Sequence, residues 1–137
     1  MNDNLVIMGI TAPRQHQAII TELIYGLARL YKSGQMGLFP YPETMIDESQ
    51  TSPVPDVMLV DEETDLTKVI IEITHTQGVK KDLQKLQELM AAYDVPEGFV
   101  YDYRQKRWFR YDLATEQTEP DSSFCAAIGA DLDSFLR

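Results

Sequence analysis

Downstream of Pro13, apolar side chains at Ile19, Ile20, Leu23, Ile24, Leu27 and Leu30 recur with the 3.6-residue period of a helix. Thr11-Ala12-Pro13 in front of them supplies a hydroxyl cap and a proline suited to a first turn, and Gly34 supplies a stop. LFPYPETMIDE has room for one or two short strands, and ESQTSPVP (48–55) reads as a loop. The period then changes. VMLV follows Pro55-Asp56, and KVIIEIT follows the polar turn DEETD, so two β-branched runs read as a hairpin. After the loop THTQG, VKKDLQKLQELMAAY carries Val79, Leu83, Leu86, Met90 and Tyr93 on one helical stripe. GFVYDY and RWFRYDL are aromatic-rich strands turning at RQK, and DLDSFLR predicts a short closing helix. Helix, strands, helix, strands, helix is the order of an α/β domain with a mixed β-sheet flanked by helices.

A length of 137 residues suits one domain spanning 1–137, and 44% apolar residues suffice for its core. No run approaches the roughly 18 apolar residues of a membrane span. MNDNLVIMGITAP lacks the basic start of a signal peptide, so no membrane association is expected. Cys125 is the single cysteine, which forbids an internal disulfide and fits a reducing, cytoplasmic setting. One cysteine with His16 and His75 argues against a structural zinc site.

Charge changes the picture further. The net charge of -10 excludes a general nucleic-acid coat, yet it is unevenly spread. Residues 80–110 hold Lys80, Lys81, Lys85, Arg104, Lys106, Arg107 and Arg110 against 5 acids, a balance of +2. That segment is either an ordinary solvated helix and hairpin or a local phosphate-binding surface.

Glu72 sits among Ile70, Ile71 and Ile73. A carboxylate in such a strand either alternates onto a solvated face of an edge strand, or is buried and needs a partner, a hydrogen bond or a cation. Asp56 opens the preceding strand, so antiparallel pairing brings Asp56 and Glu72 to the same end of the hairpin. Two carboxylates there are enough for Mg²⁺, or for a pair sharing a proton in acid–base chemistry. For Pro55-Asp56 alone, plain turn chemistry is the simpler reading. Lys80, Lys81 and Lys85 follow on the first turns of the second helix, where an ammonium could stabilise charge on a phosphoryl group. Asp82 and Lys85 share one side of that helix, either turned toward the carboxylates or as an exposed ion pair.

The ordered set Pro55-Asp56, EIT at 72–74, DLQK at 82–85 and VPEGFVYD at 95–102 resembles the PD-(D/E)xK nuclease superfamily, and more closely its Uma-type restriction endonucleases. The likeness runs over residues 11–136, with His16 matching a histidine near the start of the family's first helix. It implies a restriction-endonuclease-like mixed sheet. Asp56, Glu72 and the main-chain carbonyl of Ile73 would hold Mg²⁺ or Mn²⁺, and Lys85, Lys81 or Lys80 would serve with Asp82 in the catalytic set. The implied reaction is hydrolysis of DNA phosphodiester bonds, and cutting both strands of a duplex would favour a homodimer.

The chain departs from the pattern at Thr74, where the superfamily has its lysine two residues after the glutamate. Lys85 is one residue out of the Uma-type register measured from Val95. His75 stands where a small hydroxyl residue is usual, and the family's helix tyrosine has only the region of Leu89 or Tyr93 to match it. Glu22 is a further acid that could reach the site from the first helix, or a surface residue near Arg29. Two other readings remain open: an inactive module of the same fold that binds protein or nucleic acid, and a hydrolase of small phosphorylated substrates. No Gly-rich phosphate loop, nucleophile elbow or Cys-His pair supports other chemistries.

Overall fold

The computed structural model describes residues 13–49 and 51–136. Its centre is a six-stranded mixed sheet in the order β1-β2-β3-β4-β5-β6: β1 (Phe39–Pro42), β2 (Val57–Asp61), β3 (Leu66–Thr74), β4 (Glu97–Asp102), β5 (Arg107–Asp112) and β6 (Gln117–Pro120). All neighbours pair antiparallel except β3 and β4, which run parallel and are joined through α2 (Val79–Tyr93). Helix α1 (Arg14–Lys32) covers the other face.

The predicted stripe of α1 is the buried one. Ile20, Leu23 and Leu27 are buried, and Ile19, Ile24 and Leu30 pack at the margins. The Thr11 cap falls outside the described residues; Pro13 directly precedes the first turn. At the other end Gly34 takes φ +79°, its N–H bonds the Tyr31 carbonyl, and the Gln35 N–H reaches back to Leu30. That left-handed glycine and paired back-bonding satisfy carbonyls the helix would otherwise leave bare.

On the α1 face, Leu23 and Leu27 meet Val57, Leu59, Val69, Ile71, Phe99 and Trp108. On the α2 face, Leu86, Leu89 and Met90 meet Met58, Ile70 and Val100. Gly98 lies beneath α2 so closely that a Cβ there would collide with the Met90 sulfur and press on Leu86. With both faces covered, the last six residues of β3 are all buried, which suits its nearly unbroken apolar run. β3 lies inside the sheet between β2 and β4, so the edge-strand alternative for Glu72 fails.

The tail departs from expectation. β6 is an exposed edge strand of Gln, Thr, Glu and Pro, without the alternation that marks a half-buried strand. β7 (Phe124–Cys125) and β8 (Ala130–Asp131) form a two-stranded ribbon, and the closing helix is a single 3₁₀ turn, Leu132–Phe135. Buried Glu97 anchors this tail: it accepts from Arg110 Nε at 2.7 Å and from the N–H groups of Ala126 and Ala127 at 2.8 and 3.0 Å. Cys125 is buried beside it, its thiol pushed up to about 12 by burial first and by the Glu97 charge second. Among the described residues no helix is long and apolar enough to cross a membrane.

Candidate active site

The site forms where β2 begins and β3 finishes. The last β2–β3 partners at that end are Val57 and Ile71, so the next step outward sets Asp56 across from Glu72. The Asp56 N–H donates to Glu72 Oε1 at 3.2 Å, and Asp56 Oδ2 accepts the Ile73 N–H at 2.8 Å. Each acid is therefore held by main chain of, or next to, the other's strand.

Glu72 is 3% exposed, and its second oxygen, Oε2, is buried with no hydrogen-bond partner. An unsatisfied buried carboxylate oxygen is costly in a folded protein. Burial, followed by the neighbouring Asp56 charge, raises the Glu72 carboxyl to about 8; Lys85 and the Asp56 N–H pull the other way. With no metal ion bound, Glu72 is thus mostly protonated at neutral pH.

His16, from the first turn of α1, places Nε2 3.2 Å from Asp56 Oδ2. That hydrogen bond is the main reason its imidazole is raised to about 9, against the opposing effect of burial. The ring's Nδ1 lies 3.0 Å from Gln17 Oε1, while Gln17 Nε2 donates to Glu43 at 3.3 Å. The Glu43 N–H in turn bonds the Asp56 carbonyl at 2.9 Å. The start of α1 is thereby fastened to the entry of β2. Sequence reasoning noted His16 only through the family likeness; 40 residues separate it from Asp56, and no spacing rule connects them.

Lys85 is exposed on α2, and its charge acts on Glu72. It borders a shallow apolar patch with Pro53, Leu89 and Tyr93. Among the described residues, Lys80, Lys81 and Asp82 make no hydrogen bond or ion pair with either carboxylate; the two lysines are exposed and Asp82 is half-buried. Thr74, at the superfamily's lysine position, is buried, and Gly78 lies so close that a Cβ there would collide with the Thr74 hydroxyl. Exposed His75 sits 3.1 Å from Gln77 through Nδ1. Glu22 lines a different cavity, of about 410 Å³, with Ile19, Tyr101, Tyr103 and Lys106. Tyr93 bonds Asp47 in the β1–β2 loop, and Leu89 belongs to the core.

Two converging carboxylates, one with a bare buried oxygen, are a hard-oxygen donor set of the kind Mg²⁺ takes, since that ion needs only one or two carboxylates. Among the described residues no group of three or more acidic, His or Cys side chains is assembled for a metal, so a softer, many-ligand site is not what these residues build.

Comparison with known proteins agrees with this architecture. A crystal structure at 1.96 Å resolution of a "putative nuclease belonging to DUF820" from Anabaena variabilis ATCC 29413 superposes with a TM-score of 0.70. It is 18% identical and the match covers 96% of this chain and 87% of that one, which establishes a shared fold. No curated protein matches the sequence. The model of the Uma2 family, described as "Putative restriction endonuclease", matches residues 1–126. The chain belongs to the Uma2 family of restriction-endonuclease-like proteins.

Proposed function

We propose that this protein is a divalent-cation-dependent nuclease that hydrolyses DNA phosphodiester bonds, with Asp56 and Glu72 as the cation-binding carboxylates. The observation that carries the reading is Glu72 Oε2, a buried acceptor with no donor, facing a second acid across the β2–β3 pair. A protein interior tolerates such an atom when a bound cation completes it. The Ile73 carbonyl would join the two acids: in a strand the N–H and C=O of one residue leave the same edge, and the Ile73 N–H already points to Asp56.

When bound, Mg²⁺ would act as a Lewis acid toward a phosphoryl oxygen and make water a competent nucleophile. The chain's own groups do the rest. The Ile73 N–H and His16 fix the Asp56 carboxylate. The Asp56 N–H fixes one oxygen of Glu72 and leaves the other free. Lys85, the cation acting on Glu72, takes the part of the superfamily lysine that Thr74 cannot play, offsetting negative charge that grows on the phosphoryl group.

Cleavage of a DNA substrate with Mg²⁺ or Mn²⁺ tests the proposal. Asp56→Asn and Glu72→Gln should each abolish cleavage while circular dichroism stays unchanged. Cleavage by both variants at the wild-type rate would refute it. A specific observation favours an inactive, nucleic-acid-binding alternative: the buried Thr74 in place of the lysine. That alternative predicts DNA binding without cleavage in the wild-type chain.

A further inference from the structure

Exposed cations gather at one end of the sheet, the basic end, where Asp82 and Asp121 also lie, although the protein as a whole is acidic. β3 and β4 run parallel with Thr74 beside Asp102, so whatever follows each strand emerges at the same end. After β3 come the loop 75–78 and the first turn of α2, with Lys80 and Lys81; after β4 comes the turn 103–106, with Arg104 and Lys106. The two segments are tied together. Thr76 Oγ1 donates to Asp102 at 2.9 Å, the Tyr103 N–H bonds the Thr74 carbonyl at 2.9 Å, and Asp102 also accepts the Arg104 N–H at 3.0 Å. Asp102 is buried, so its charge is spent inside this knot. All four cationic side chains are exposed, and among the described residues none is in an ion pair, whereas Arg107 beside them is held by Asp121 at 3.0 Å.

The opposite end of the sheet carries the reverse sign. The β2–β3 turn presents Asp61, Glu62, Glu63 and Asp65, and Glu116 occupies the β5–β6 turn. Asp47, in the β1–β2 loop, is tied to Tyr93 in the last turn of α2, which draws that carboxylate away from the basic end, whereas Glu43 of the same loop stays beside Asp56. The Asp56–Glu72 pair lies at the basic end, because β2 begins where β3 finishes.

From this arrangement we infer that Lys80, Lys81, Arg104 and Lys106 form a rim that binds the phosphate backbone of duplex DNA beside the carboxylates, while the acidic end turns DNA away. The inference rests on the nuclease reading and adds which surface receives the substrate and in which orientation. Unpaired cations on two linked segments complement the regular negative charge of a duplex, and phosphate contacts of this kind set position without reading sequence.

The test measures binding of a fluorescent DNA duplex by anisotropy across a salt series, using the full chain carrying Glu72→Gln so that the duplex stays intact. Added Arg104→Glu with Lys106→Glu, and separately Lys80→Glu with Lys81→Glu, should each weaken binding by about tenfold or more near 0.1 M salt. Each pair should also make the salt slope shallower by about two. Lys32→Glu, at the end of α1 that packs by the start of β1, is the control and should change neither quantity. Unchanged binding in both rim pairs, or an equal loss in the control, would overturn the rim and leave the site reading standing. No duplex binding at all would overturn the rim and the choice of DNA together. Wild-type cleavage rates in Asp56→Asn and Glu72→Gln would overturn the site reading whatever the rim variants do.

Discussion

Asp56 and Glu72 are each fixed by the backbone beside the other: the Asp56 N–H fixes Glu72 Oε1, and the amide next to Glu72 fixes Asp56 Oδ2. His16 sits on Asp56 Oδ2, and the arrangement leaves Glu72 Oε2 bare. A fold that carries such a pair forgoes stability in its metal-free state.

That cost should depend on pH. Burial and the Asp56 charge raise the Glu72 carboxyl from 4.5 to about 8, so the folded chain binds a proton more tightly than the unfolded chain. The stability this proton supplies is complete below the unfolded value and is lost as pH rises through about 8. Metal-free protein should therefore have a falling melting temperature between about pH 5 and 8, and Glu72→Gln should flatten that fall. Parallel melting curves for the two proteins would contradict the assigned protonation.

His16 works in an adjoining window. Its imidazole is raised from 6.5 to about 9 chiefly by the bond to Asp56, so the stability of this pair is present below 6.5 and is lost as pH rises through about 9. His16→Gln should lower the melting temperature at pH 6 and have much less effect at pH 10. A pH-independent loss would show that the side chain matters through packing alone.

Much of this was legible in the sequence, and the gaps have physical causes. The stripes of α1 and α2 and the β2–β3 hairpin follow from periodicity, and the pairing of Asp56 with Glu72 follows from antiparallel geometry. Burial of Glu72 was not decidable, because a run such as VIIEIT fits an edge or an interior strand equally well; the parallel neighbour β4 settles it. β6 escaped because an exposed strand of polar residues carries no alternating signal. The His16 contact is purely tertiary, and no spacing rule reaches it.

Packing under α2 offers a test independent of chemistry. A methyl group at position 98 would meet the Met90 sulfur and Leu86, in a strand buried on both faces. Gly98→Ala should destabilise the fold by about 1–3 kcal/mol, read by urea denaturation. A neutral effect would mean that α2 can lift from the sheet at little cost.

The Tyr93–Asp47 bond should govern the β1–β2 loop. Hydrogen bonds from Ser49 and Tyr93 hold the Asp47 carboxyl down at about 2. Tyr93→Phe should speed proteolysis of the segment 44–54 and leave β-sheet amide exchange unchanged. Protection equal to wild type would assign the loop's order to its other contacts.

Proton-linked calorimetry of Mn²⁺ binding near pH 7, run in buffers of differing ionisation heat, bears most directly on the two carboxylates. A carboxyl that is mostly protonated when metal-free must release its proton as the cation takes its place. The account predicts one ion per chain with release of up to about one proton, and loss of both binding and release in Glu72→Gln. Binding of equal strength and proton count in wild type and Glu72→Gln, or no binding by the wild type, would contradict it.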